Sequence, residues 1–270
     1  MKPAIRTSGR GPRLYAHPGG PGFSWREFGP DFAGLDRIFE VAYIDPRGTG
    51  ATRRPKDPGA YSLDDYVADL DELVEEPAYL LGFSHGGLVA QRFAARHPEK
   101  LLGLVLASTA AHFSADMQAA LDRKIASSKG EPWLEDAVAA LKEEQANTYS
   151  DDAELARILA REFPLYFHRY DARARAWVKA IAGEPCNGDA LRHFNDEEFL
   201  SIDLRAELSR IKTRTIVVSG ADDFICPPEA GREMHETIAG SKFIVIPESG
   251  HMTYVEQPVA FYEAVSTVLK

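Results

Sequence analysis

The sequence predicts an α/β domain: a mostly parallel central sheet, helices on both faces, and an inserted all-helical segment. Two patterns carry this expectation. Short apolar runs alternate with longer amphipathic stretches, and that alternation stops across 112–203 before it resumes. A third observation, a Gly-x-Ser-x-Gly run between a strand-like and a helix-like segment, places a reactive serine within the same frame.

The apolar runs lie at 13–16, 41–44, 78–81, 102–107, 215–219 and 243–246. Several are rich in Val, Ile and Leu without strict alternation, as expected of strands buried on both faces. Room remains for one edge strand before Arg13. Between the runs, 63–75 reads as a helix capped by Ser62, with Asp65 at the third helical position in a variant of the capping box. The helix-like stretch 88–97 ends at Pro98, which cannot continue it, and 258–269 opens on Pro258, suited to a first turn. Across 112–203 the chain turns Ala-, Glu- and Arg-rich with helical periodicity, as at 137–141 and 155–159, and no strand is expected there. The expected organisation is therefore a core of 1–111 and 204–270 with a helical cap, or lid, at 112–203.

A chain of 270 residues with 44% apolar and 27% charged residues fits one domain with an insertion. Lys plus Arg number 31 against 41 Asp plus Glu, a net charge of −10, which argues against nucleic-acid partners and against docking on an anionic membrane. The longest apolar stretch, 101–107, is far too short to span a bilayer, and the polar opening residues do not read as a signal peptide. Cys186 and Cys226 are too few for a disulfide framework and form no metal-ligand spacing, so a reducing, cytoplasmic setting is expected.

Chemistry centres on Gly82-Phe83-Ser84-His85-Gly86-Gly87. A nucleophilic serine there needs a sharp turn that lifts its hydroxyl over the sheet edge, and flanking glycines let strand and helix approach. The helix N-terminus adds unpaired N–H groups and a positive dipole end, both useful for an oxyanion. Such a serine needs a base and an orienting carboxylate, following in chain order as acid and then His. Eight histidines compete. His97 stands at a helix end, His112, His168 and His193 lie in the insertion, and His235 lies in a surface helix. His85 adjoins the nucleophile, and His17 is read as part of a loop. His251, in Glu248-Ser249-Gly250-His251-Met252, follows the last strand and is the expected base. For the acid, Asp222 and Asp223 both follow the strand at 215–219; Asp223 has the favoured spacing after Gly220, and Asp222 then reads as a turn former. In His17-Pro18-Gly19-Gly20-Pro21-Gly22 the prolines have no N–H, so an oxyanion donor must be Gly19, Gly20 or Gly22, with Gly20 favoured; the N–H of His85 is the other expected donor. Phe23, Trp25 and Phe28 are expected to line the pocket. No metal or organic cofactor is required.

With these residues the sequence resembles the α/β-hydrolase superfamily over essentially its whole length, and more narrowly the proline iminopeptidase (prolyl aminopeptidase) group. The narrower likeness rests on His17–Gly22, close to that group's His-Gly-Gly-Pro-Gly, and on Asp45-Pro46-Arg47-Gly48-Thr49-Gly50, close to its Asp-Gln-Arg-Gly-x-Gly-x-Ser. The elbow, the Gly-x-x-Asp-x-x-x-Pro run from Gly220 to Pro227 and Ser249-Gly250-His251 complete it. The chain departs from the group in a proline after His17, in Ala51-Thr52 without the usual serine, and in His at 85. The resemblance implies a serine hydrolase acting on small peptides or amides. It also implies that carboxylates hold the substrate's free amine. Because Phe224 follows Asp223, that role would fall to Glu184, Glu197 or Glu198, although charges such as Asp196-Glu197-Glu198 read in their own right as a solvated helix face. Related esterases and lactonases share most of these motifs and form the rival reading. A non-catalytic receptor is the rival from another class. Relatives that use an Asp nucleophile are disfavoured by Ser84.

Overall fold

The computed structural model describes residues 1–29 and 32–270. Among these, seven strands form one sheet: β1 (Ala4–Gly9), β2 (Arg13–His17), β3 (Glu40–Asp45), β4 (Ala78–Phe83), β5 (Leu101–Ala107), β6 (Thr215–Gly220) and β7 (Lys242–Ile246). Their order is β1-β3-β2-β4-β5-β6-β7. Only β1 runs antiparallel, along β3, and it fills the edge place foreseen before Arg13. Residues along the inner strands alternate between two cores. Leu81, Val105 and Val218 join one face, while Leu80, Leu104, Leu106 and Val217 join the other. Because both faces are apolar, the strands carry no polar alternation, which is why they read as plain apolar runs.

Helices follow as the caps dictate. Helix α1 (Leu63–Leu73) has the full reciprocal box between Ser62 and Asp65. It ends two residues short of the expected 75, where β-branched Val74 turns extended. Helix α2 (His85–Arg96) begins three residues before the expected Leu88, so Gly86 and Gly87 are its first turn rather than a loop. Helix α9 (Pro228–Thr237) follows β6, and α10 (Thr253–Glu256) and α11 (Pro258–Ser266) close the chain.

Between β5 and β6 the chain forms α3 (Ala115–Ser127), α4 (Leu134–Gln145), α5 (Asp152–Glu162), α6 (Ala172–Ile181), α7 (Gly188–His193) and α8 (Arg205–Leu208). The backbones of His112 and Asp203 pair in an isolated antiparallel bridge, so this excursion leaves and returns at one point. Among the described residues no helix is long and apolar enough to cross a membrane.

Candidate active site

Ser84 sits between β4 and α2 with φ 51° and ψ −120°, a left-handed backbone that a non-glycine residue adopts only when its surroundings impose it. The surroundings do so. Ser84 N–H donates to Ala107 O on β5, Gly87 N–H donates to Ser84 O, and Thr109 Oγ1 donates to the same carbonyl. A serine at a helix start ordinarily caps it, yet this side chain makes no cap hydrogen bond, which leaves the hydroxyl for other work. A side chain at Gly86 would put Cβ 2.4 Å from Pro18 O, so the His17–Gly22 loop packs directly against the elbow.

Asp223 and His251 come together on the loops that follow β6 and β7. His251 Nδ1 lies 2.8 Å from Asp223 Oδ2, and both side chains are almost wholly buried. Asp223 Oδ1 accepts from the N–H groups of Ile225 and Cys226, each at 2.9 Å, which locks the carboxylate plane. Nδ1 is thereby committed, so Nε2 is the ring nitrogen left for proton transfer. The His251 N–H donates to Tyr166 O, and the ring of Phe83, next to Ser84, lies 5.1 Å from the imidazole. Asp222 instead faces His168, 2.8 Å from its Nδ1.

The other histidines are held elsewhere. His17 is the last residue of β2 rather than part of a loop, because it pairs with Gly82. Its buried ring is pushed down to about 4 by desolvation. Desolvation, helped by His17, pushes His85 down to about 3, and its ring packs edge-on against Tyr66 and Phe194.

Ser84 opens into a cavity of about 650 Å³ between the sheet edge and the helices of the excursion. Gly20, Phe23 and His85 line it, with apolar walls from Leu121, Leu159 and Phe194 among others. Of the three glycines, Gly19 spends its N–H on Glu27 Oε2 at 2.6 Å, and Gly22 is not on the lining, which leaves Gly20. Both cysteines are free and buried, and both line this cavity.

Several expected pocket residues stand outside it. Phe28 packs in the core against Phe32, Tyr43 and Tyr254. Trp25 lies under the guanidinium groups of Arg6 and Arg26. Glu184 pairs with Arg26, Glu197 is exposed, and Glu198 accepts from Leu63 N–H at the start of α1. None of these five is on the cavity lining. Each is drawn off by a partner or by solvent closer than the cavity.

Two carboxyl groups that the sequence reading missed do line it: Glu144 on α4 and Glu162 on α5. Glu162 is 1% exposed; Tyr166 Oη donates to its Oε1 at 2.7 Å, and its buried Oε2 has no partner. Burial first, and the Glu144 charge second, push Glu162 up to about 8. Burial likewise raises Glu144, whose Oε1 accepts from Asn195. The sequence does hold a signal for both. Buried positions run 137, 140, 141, 144 on α4 and 155, 158, 159, 162 on α5, so each Glu closes an apolar stripe at i+7. A carboxylate on the apolar face of an amphipathic helix must be served by the core it enters.

A parallel sheet with a strained serine elbow, and an acid and a histidine on later strand-end loops, defines a recognisable class. The chain belongs to the alpha/beta hydrolase fold family, which matches residues 12–258. It is similar to 3-oxoadipate enol-lactonase 2 of Acinetobacter baylyi, with 30% identity over 87% of this chain and 80% of that one. It is also similar to the proline iminopeptidase of Lactobacillus crispatus, with 28% identity over 96% and 89%. A hydrolase from Pseudomonas aeruginosa superposes with a TM-score of 0.74 at 28% identity, covering 99% of this chain and 94% of that one. The protein is thus a hydrolase of this fold, with a lactonase and a peptidase both among its relatives.

Proposed function

We propose that the protein is a serine hydrolase that works through an acyl-enzyme and accepts small peptides or amides with a free amine, as a proline iminopeptidase does. The supporting observation for the chemistry is the strained Ser84 with its uncommitted hydroxyl, opening into a cavity that Phe224 and Cys226 also line, while the buried His251–Asp223 pair lies against Phe83, the residue before Ser84. Ser84 Oγ attacks the carbonyl carbon while His251 Nε2 takes its proton. Asp223 holds the tautomer that leaves Nε2 basic and balances the imidazolium charge. The N–H groups of His85 and Gly20 receive the oxyanion. His251 then protonates the leaving amine, and water, deprotonated by the same imidazole, hydrolyses the ester and restores Ser84. The helices of 112–203 act as a lid that keeps the site dry.

The free amine is assigned to Glu162 and Glu144, in place of Glu184, Glu197 and Glu198. A neutral acid with one unpartnered buried oxygen becomes a good host when an ammonium group arrives, because the cation favours the ionised form that burial alone opposes. The mostly apolar walls, and the kinship with an enol-lactonase, favour the second reading, a small apolar ester or lactone as substrate.

Turnover of a prolyl anilide beside a short-chain nitrophenyl ester separates the two. The peptidase reading expects the anilide to win, and expects N-acetylation of the proline to abolish its advantage. A large preference for the ester would overturn that reading while leaving acyl transfer intact. Labelling by a fluorophosphonate, lost in Ser84→Ala, tests the nucleophile itself.

A further inference from the structure

We propose that Glu27 is a positioning residue of the oxyanion loop: its buried carboxyl group takes the Gly19 N–H and so turns the next N–H, that of Gly20, toward the reacting carbonyl. The inference rests on the acyl-transfer reading above and assigns a role to a buried acid which that mechanism does not use.

Glu27 is anchored through its backbone by distant parts of the chain. Glu27 lies in a short 3-10 helix, Trp25–Phe28, and is 6% exposed. Ser24 caps that helix by accepting from Arg26 N–H, and Asp45 Oδ1 accepts from Trp25 N–H at 3.2 Å. The backbone carbonyl of Glu27 receives two further donors from distant parts of the chain. Trp177 Nε1 on α6 donates at 3.0 Å, and Tyr254 Oη on α10, just beyond His251, donates at 3.0 Å. Insertion, strand-end loop and C-terminal segment therefore meet on one residue, whose side chain then crosses to Gly19.

At Gly19 the geometry is close. A Cβ there would stand 3.0 Å from Ser84 Cβ and 3.1 Å from Glu27 Oε1, so the nucleophile and the carboxyl group bracket the same glycine from two sides. Glycines cannot hold a loop by themselves, since they populate many backbone states. A donor aimed at a developing oxyanion must nevertheless be fixed before the charge appears. An acceptor whose own backbone carbonyl is held by two donors supplies the missing constraint. Burial pushes Glu27 up to about 8, so near neutral pH the group is mainly a neutral acid, which a glutamine imitates closely.

The test compares Glu27→Gln, which keeps an acceptor at the same reach, with Glu27→Leu and Glu27→Asn, which remove or retract it. Wild type and variants are compared in fluorophosphonate labelling rate and in kcat and KM on whichever substrate the wild type turns over. The expected result is a loss of about 10- to 100-fold in labelling rate and kcat for Leu and Asn, with KM within about twofold. Glutamine should restore both rates to within about threefold of wild type. A folded Asn or Leu variant with wild-type kcat overturns the inference, and so does a Gln variant that falls as far as the others. Should Leu fail to fold, Asn and Gln give the same decision. A wild type that never labels overturns the acyl-transfer reading and this inference together, whereas a labelled wild type with unaffected variants overturns this inference alone.

Discussion

The floor and the roof of the cavity are built by different means. On the floor and just behind it, the backbone sets the geometry: Ser84 lines the cavity with a φ of 51°, and Asp223, off the lining, is fixed by two N–H donors. The loops that carry Asp223 and His251 press so close that a Cβ on Gly220 would lie 2.0 Å from Gly250 O. On the roof, side chains of amphipathic helices set the character of the space, with Glu144 and Glu162 carried in by helical period alone. The lesson is that backbone-built chemistry leaves glycines in the sequence as marks, while a side-chain-built lining leaves only a periodicity.

The largest effect should come from the floor. Asp223→Asn is expected to leave the fold intact and lower kcat by about 10⁴-fold, because the amide favours the wrong tautomer of His251. Steady-state rates with a melting curve check this. A variant that keeps a tenth of wild-type kcat would remove Asp223 from the proposed mechanism and break the contrast at its strongest point. On the roof, Glu162→Gln should raise KM for an amine-bearing substrate by about 10- to 100-fold, the scale of a hydrogen bond to a charged group. The same change should leave a neutral ester untouched. An equal effect on both substrates would mean that the roof shapes the site without reading charge.

This asymmetry explains what could be read beforehand. Six strand positions, the capping of α1 by Ser62, and the meeting of Asp223 with His251 follow from local pattern and chain order. The lining was not legible in the same way. Trp25, Phe28, Glu184 and Glu198 have the right residue types near the right loops, but a tertiary partner claims each of them: Arg6, the aromatic core, Arg26 and the start of α1. Glu162 was visible in principle, as the carboxylate at the end of the stripe Leu155, Ile158, Leu159. Glu27 was not, because its partner Gly19 is set by a loop path that no periodicity encodes.

Buried carboxyls and buried imidazoles also oppose each other in pH dependence. Burial holds Glu162 and Glu27 up to about 8 and Glu256 up to about 7. A raised acid binds its proton more tightly when folded, so its contribution is full below about 4.5 and is lost as pH rises from there through 7 to 8. Burial lowers His17 to about 4 and His85 to about 3, so the folded state resists protonation there and stability is lost as pH falls below about 6.5. Between about pH 4.5 and 6.5 the three raised carboxyls outweigh the two lowered imidazoles, so melting temperature should be highest near pH 4.5 and fall from there toward pH 8, by scanning calorimetry. Glu162→Gln should flatten the alkaline limb and leave the acid limb in place; a change confined to the acid limb would contradict the assignment.

A pair of glycine substitutions brings the contrast to its smallest scale. Gly220→Ala forces a methyl group into Gly250 O, and neither loop can yield without moving Asp223 or His251, so a loss of about 1–3 kcal/mol is expected together with lost activity. Gly183, in the turn after α6 (Ala172–Ile181), has nothing within 4 Å of where its Cβ would stand and no left-handed φ. Alanine there restricts the unfolded chain more than the folded one and should stabilise by about 0.4–1 kcal/mol with kcat unchanged. Denaturant melts of the two variants measure both numbers. If Gly183→Ala were to cost as much as Gly220→Ala, the roof would be as tightly specified by its backbone as the floor, and the distinction between the two regions would fail.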